Sequence, residues 1–383
     1  MAFGARAAAL ALSSLLAMGA TDCGPALRAS RDQQRRLAEE APRREVLLLG
    51  EIHTSAADHA WQLESLQTLW QAGVPLRLGL EMIPAARQGL LDRYGRGSLD
   101  EAAFLEQVGW AEVWGHDPAL YLPLLRWARQ RGVPLLALNA EPELVRRVRR
   151  QGLAATPPAQ REGIGEPAAL GAAYRRRLEA AWRGHGGAGQ GRAGPKDAGQ
   201  AADLERFLDS QRLRDRAMAE RLARARRQDP GRLVVALVGR GHLEDDDGVP
   251  AQLRALGVRH PWALRRPELP PACAPAPRGA RLGAYLESAG GAVWVRRVAP
   301  SSAAAAAGLR PGDRILAVNG EAVQRAGQVI LRVARHPATE PLRLTIERDG
   351  QSQTLEVRLP PPTATRLANG ENGGTEAPAA LPS

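Results

Sequence analysis

Four short apolar runs, each cut off by polar or ionisable residues, set most of what this chain can fold into. Residues 46–49 are followed by Gly50, Glu51 and His53, and residues 76–80 by Glu81. Residues 134–138 are followed by Asn139 and Glu141, and residues 233–238 by Gly239, Arg240 and His242. An unbroken apolar run too short for a helix reads as a strand buried on both faces. Helical stretches separate the four runs, which predicts an α/β fold with a mainly parallel sheet flanked by helices. Parallel strands finish at one edge, and open α/β sheets hold their ligands there. One polar site built from four strand ends is therefore expected.

The intervening segments send further groups toward that edge. Ser55 with Asp58 has capping-box spacing, and the helix it opens carries His59, Gln62, Leu63, Leu66 and Trp70 on one stripe. Ser98 with Glu101, and Asp117 with Pro118, mark further helix starts. A long helix over 203–227 has a seam of Leu204, Leu208, Gln211, Asp215, Met218 and Leu222. A carboxylate on such a seam is costly unless paired, which marks Asp215 as a candidate. Ser30 with Gln33 predicts a short helix over 31–40 within a linker spanning 21–44. The Gly-rich stretch 184–199 reads as a mobile loop.

Residues 1–20 place Arg6 before an Ala-Leu run and small residues, the pattern of a secretory signal peptide. Export to the periplasm or cell envelope is expected. Cys23 raises membrane anchoring through lipid, although Asp22 stands where a lipidation signal needs a small residue. Pairing of Cys23 with Cys273 is open in an oxidising compartment. The net charge of +11 favours anionic partners. Three Phe, four Tyr and no nucleic-acid motif argue against base stacking, so nucleic acid is not an expected partner. No Gly-x-Ser-x-Gly elbow, Walker loop or dinucleotide fingerprint is present.

After a Pro-rich linker at 266–278, residues 279–359 resemble a PDZ domain, a small β-sandwich or barrel with two helices. The resemblance rests on residues 281–286, 292–295 and above all 306–320, Ala-Ala-Gly-Leu-Arg-Pro-Gly-Asp-Arg-Ile-Leu-Ala-Val-Asn-Gly. It implies that Arg281, Leu282, Gly283, Ala284, Tyr285 and Leu286 receive the carboxylate end of a partner peptide. A groove helix is implied near 326–335, with closing strands at 342–346 and 354–359. Residues 360–383 read as a disordered tail.

Residues 45–265 resemble the ChaN-like haem-binding uptake family, which is grouped with the Tiki proteases. The matching residues are 50–53 with His59 and Gln62, 78–82, Leu138 with Asn139, 207–219, and the closing Gly-x-Gly-His at 239–242. The resemblance implies haem held between two protomers of a homodimer, with a tyrosine as iron ligand in the founding branch. Tyr94, Tyr121 and Tyr174 all lie outside the matching motifs.

Three readings follow. In the first, His53, His59, Glu81, Asn139, Gln211, Asp215, Arg240 and His242 form a haem or iron-related ligand site. His53, His59 or His242 then ligates iron, with Met218 as a softer candidate, and Arg240 neutralises a propionate. In the second, a divalent metal sits on His53, His242 and Glu51, paired through the two Gly-x-x-His motifs. Glu51 or Glu81 then acts as general base in a peptidase. In the third, the chain is a non-enzymatic adaptor for C-terminal peptides, its first domain serving as a partner-binding body.

Overall fold

The computed structural model describes residues 24–183, 198–268, 282–289, 291–337 and 339–360. The expected signal peptide, Cys23, Cys273, most of the 184–199 loop, the Pro-rich stretch from 269, Arg281 and the tail from 361 lie outside the described residues.

Five strands form the first sheet: β1 (Val46–Glu51), β2 (Leu76–Pro84), β3 (Leu135–Asn139), β4 (Leu233–Gly239) and β5 (Trp262–Arg265). Their order is β3-β2-β4-β1-β5, and every pairing is parallel. The period of two appears directly in the packing. Leu47 and Leu49 join one core with Leu233, Val235 and Leu237. Val46 and Leu48 join the opposite core with Val234, Ala236 and Val238.

Ten helices belong to this first part of the described chain: α1 (Gly24–Glu40), α2 (Ala56–Gln71), α3 (Gln88–Gly95), α4 (Glu101–Gln107), α5 (Trp110–Val113), α6 (Leu122–Gln130), α7 (Pro142–Gln151), α8 (Ala172–Trp182), α9 (Ala198–Gln228) and α10 (Val249–Ala255). Leu63, Leu66 and Leu69 of α2 pack on one face of the sheet. Met218 and Leu222 of α9, with Val249 and Leu253 of α10, pack on the other. The neighbouring strands β1 and β4 therefore send their following helices to opposite faces. A crevice opens between such strands at their carboxyl ends.

Several expectations are corrected. β2 does not stop at Glu81: Met82 and Ile83 are as buried as Leu78, so the apolar run resumes around one carboxylate. The long helix is longer than its seam, and Met218 is a core residue with no exposure, unsuited to ligation. α4 is capped by Asp100, whose Oδ1 accepts from Ala103 N–H at 2.8 Å, while Ser98 turns back to Arg93 O. α1 is longer than 31–40 and is no mere linker element. Leu37 and Ala41 enter the core, and Gln34 donates to Ser65 Oγ at 3.1 Å. Trp70 leaves the buried stripe and is half-exposed. A fifth strand, β5, joins the four expected ones.

The second sheet is antiparallel, in the order β11-β10-β8-β7-β6 with β9 beside β8. Its strands are β6 (Ala284–Ala289), β7 (Ala292–Val298), β8 (Arg314–Val318), β9 (Glu321–Ala322), β10 (Leu342–Arg348) and β11 (Gln351–Val357). Two helices accompany it, α11 (Ala303–Ala306) and α12 (Ala326–Arg335). Ala326, Val329 and Val333 anchor α12 in a separate small core.

Candidate functional site

The β1 end turns sharply into α2. Ser55 Oγ accepts from Asp58 N–H, and Asp58 Oδ2 accepts from Ile52 N–H at 3.0 Å. Arg266 grips the other oxygen of Asp58 at 2.7 Å. This loop holds His53 above the sheet edge, with its Nδ1 2.5 Å from Glu51 Oε1. Gly239 makes room for it: a Cβ there would fall 2.6 Å from His53 Cε1. His53 Nε2 and Glu81 Oε2 both lie within 3.4 Å of that point, so the ends of β1, β2 and β4 converge on it.

Glu81, with 1% of its surface exposed, is held from three sides. Gly239 N–H donates to Oε2 at 2.6 Å, Arg214 donates to Oε1 at 2.8 Å, and His242 Nε2 stands 3.5 Å from Oε1. The opposite nitrogen of His242, Nδ1, is 2.5 Å from Asp215 Oδ1, and Tyr174 O–H donates to Asp215 Oδ2 at 2.9 Å. A buried relay thus runs from Tyr174 through Asp215 and His242 to Glu81. A carboxylate on Nδ1 fixes the imidazole and directs Nε2 into the site.

His59 and Gln62 occupy the first turns of α2. Gln62 donates to Leu49 O at 2.8 Å and presents Oε1 to His59 Nδ1 at 3.1 Å. His59 Nε2 lies 3.3 Å from His53 O. Asn139 donates to Glu81 O at 3.1 Å and accepts from Ala140 N–H. Glu51 Oε2 is buried and has no hydrogen-bond partner among the described residues.

Charge follows from these contacts. Burial works against protonated His53, yet the Glu51 hydrogen bond and the charges of Glu81 and Glu51 outweigh it and raise the pKa. Burial would likewise raise Glu81, but His242, His53, Arg214 and the Gly239 N–H together lower it. His116 is held down to about 4, chiefly by burial and then by the charge of His53.

Three expected site residues stay outside the buried cluster. Gln211 is half-buried on α9, outside the hydrogen bonds that join the cluster. Arg240 faces outward, 3.9 Å from Glu244. Glu141 pairs with Arg87 instead, at 2.9 Å. Other groups enter that the sequence does not announce. Trp114 and His116 stand beside His53, with ring centroids at 4.5 and 5.0 Å. Tyr121 packs on His59 at 4.3 Å and donates to His53 O. Arg214 and Tyr174 complete the relay. Arg214 is legible only as the neighbour of Asp215, and the others carry no periodic signal.

The metal set of His53, His242 and Glu51 is not preformed. Among the described residues no group of three His, Cys, Asp or Glu side chains is arranged to hold a metal ion. Glu51 Oε1 is taken by His53 Nδ1, and His242 Nε2 is turned to Glu81.

In the second part of the chain, β6 lies at the end of its sheet with one edge unpaired by any strand among the described residues. Gly283 precedes it at φ +74, and a Cβ there would fall 2.2 Å from Ser302 Cβ. Leu282 is buried in the small core, Ala284 and Leu286 are half-buried, and Tyr285 is exposed. An open strand edge accepts an extended peptide through main-chain hydrogen bonds.

Comparison with known proteins adds two matches along the chain. Residues 37–253 match the family described as haem-binding uptake, Tiki superfamily, ChaN, and residues 280–359 match the PDZ domain. The solved structure described as cofacial haem binding to ChaN of Campylobacter jejuni aligns at 15% identity and a TM-score of 0.47. It covers 61% of this chain and 84% of that one. The HtrA3 PDZ domain bound to a phage-derived ligand aligns at 20% identity and a TM-score of 0.19, over 21% of this chain and 83% of that one. Zinc metalloprotease RasP of Geobacillus kaustophilus is 36% identical over 63 residues, 16% of this chain. A probable periplasmic serine endoprotease DegP-like of Marinomonas sp. is 38% identical over 74 residues, 19% of this chain. The chain spans 15% and 16% of those two proteases' own lengths.

Proposed function

The chain belongs to the haem-binding uptake, Tiki superfamily, ChaN family, and on that premise we propose that its carboxyl sheet edge holds haem, with His53 as the iron ligand. The observation that carries this reading is the partly exposed His53 imidazole, tied at Nδ1 to Glu51. A carboxylate on one ring nitrogen orients a ligating histidine and raises its basicity. Exposed Ile52 and half-buried Trp114 offer apolar contact beside it, and outward-facing Arg240 suits a propionate. When bound, haem supplies the iron and its redox chemistry.

The tyrosines fit an iron-ligand role poorly. Tyr94, Tyr121 and Tyr174 have at most 1% of their surface exposed. Burial first, then nearby carboxylates, pushes the phenol of Tyr94 up to about 12 and those of Tyr121 and Tyr174 well above the usual range. A tyrosinate is therefore disfavoured at all three, and the imidazole of His53 takes the role.

A homodimer with haem between its protomers follows from the same family premise. The PDZ domain then brings C-terminal peptides of partners to the same molecule. The signal-peptide pattern supports work in the periplasm or envelope, with Cys23 as the candidate for lipid attachment. Mass spectrometry of the mature N-terminus tests both points.

A second reading is favoured by two observations, the buried Glu51 Oε2, which accepts no hydrogen bond among the described residues and stands 4.0 Å from His59 Nε2, and the Tyr174–Asp215–His242 relay aimed at Glu81. Those groups suit a divalent cation and general-base chemistry in a peptidase, after the carboxylates reorient. Titration of the mature protein with haemin, with metal analysis and a peptide-cleavage assay in parallel, separates the readings. A saturable Soret shift supports haem binding. No Soret change, together with metal-dependent cleavage lost in Glu81→Gln, supports the peptidase. Peptide binding with neither leaves the adaptor.

A further inference from the structure

The groove helix of the PDZ domain is packed against the wall of the His53 site. Gly327, buried near the start of α12, meets the α5 backbone so closely that a Cβ there would fall 2.5 Å from Ala111 O and 2.6 Å from Ala111 Cα. One turn further along α12, Leu331 packs against the core of the first sheet rather than its own. Arg325 and Glu112 face each other at 3.9 Å beside this contact. A cleft of about 570 Å³ opens next to it, lined among others by Trp110, Glu112, Gln328 and Arg332.

The far side of the same segment reaches the site. Trp110 Nε1–H donates to His116 O at 2.8 Å, and the Trp110 and Tyr121 rings are 5.5 Å apart. Trp114 stands edge-on to His53, and Tyr121 O–H donates to His53 O at 3.3 Å. Residues 109–121 therefore touch α12 on one side and His53 on the other. Close-packed interiors transmit displacement because they have little free volume to absorb it.

We propose that residues 109–121 couple the PDZ groove helix to the His53 site, so that a shift of α12 moves the wall of the imidazole pocket. A peptide filling the space between β6 and α12 is the natural source of such a shift. By linkage, a ligand at His53 would alter peptide affinity by the same factor. The coupling depends on the packing of this chain and holds whichever ligand the site takes.

Gly327→Ala in the full chain tests it, with amide hydrogen exchange over 109–121 and the imidazole NMR resonances of His53 and His116 as readouts. In a helix this substitution by itself is stabilising. The coupling instead gives faster exchange across 109–121, by about tenfold or more, and displaced resonances of both histidines. Exchange in α7 and in β10 should stay as in the unsubstituted chain. Unchanged resonances and exchange over 109–121 would overturn the proposal. Loss of protection spread evenly over the whole first sheet would also overturn it, because it reports general unfolding. Should Gly327→Ala fail to fold, Leu331→Glu loosens the same contact and is read in the same way.

Discussion

The two candidate binding regions of this chain are built for recognition in opposite ways. At the carboxyl edge of the parallel sheet, buried carboxylates and imidazoles contact one another, and the neighbouring backbone is shaped to admit them. At β6, the useful feature is a strand edge that no strand among the described residues pairs, and the side chains beside it are small or exposed. The first region can select by chemistry but is costly to disturb, because each buried charge relies on its partner. The second reads main chain and tolerates change in side chains.

Asp215→Ala should show the largest effect. It strands His242 and Tyr174 in a buried space, and breaking a buried pair in this way costs about 3–5 kcal/mol. Urea unfolding of the full chain measures it; a loss below about 1 kcal/mol would show that the relay is not structural. Gly239→Ala comes next. Its Cβ would displace His53, at a cost of about 1–3 kcal/mol for overpacking, and haemin binding should weaken with it. The equivalent test of the peptide region is Gly283→Ala, where positive φ and the Ser302 contact both oppose the substitution. Here peptide affinity should fall while haemin binding stays unchanged.

The acid–base behaviour gives an effect with a defined sign. His116 has an ordinary value of 6.5 and is held to about 4 in the fold. Between those values the unfolded chain binds the extra proton, so stability falls as the pH drops from 6.5 to 4. His53 acts on the other limb. Its pKa is raised from 6.5, so its contribution is complete below 6.5 and is lost as the pH climbs through the raised value. Unfolding midpoints across pH should therefore peak near 6.5, and His116→Phe should flatten the acid limb alone.

Legibility in the sequence follows the same division. Glu51, His53, Glu81, Asn139 and His242 can be found because each follows an apolar run whose strand character is local. Asp215 can be found because it interrupts an apolar helical seam. Their partners are not legible. Tyr174 arrives from a helix after a Gly- and Pro-rich stretch, and Trp114, His116 and Tyr121 come from short turns with no period. β5 is four residues long and ends in Arg265, so it forms no apolar run to detect. The open edge of β6 is implied by resemblance to the PDZ domain, since local pattern does not reveal which strand lies outermost. Packing of α12 on α5 depends on the absence of one Cβ at Gly327, and a glycine in a helix gives no sign of what it touches.

Ligation of iron by His53 is tested most plainly by the electronic and EPR spectra of the haemin-loaded protein, compared with those of His53→Ala and Tyr174→Phe. Histidine-ligated ferric iron is expected, lost in His53→Ala and retained in Tyr174→Phe. A tyrosinate charge-transfer band that survives His53→Ala and disappears on removal of a tyrosine would contradict it.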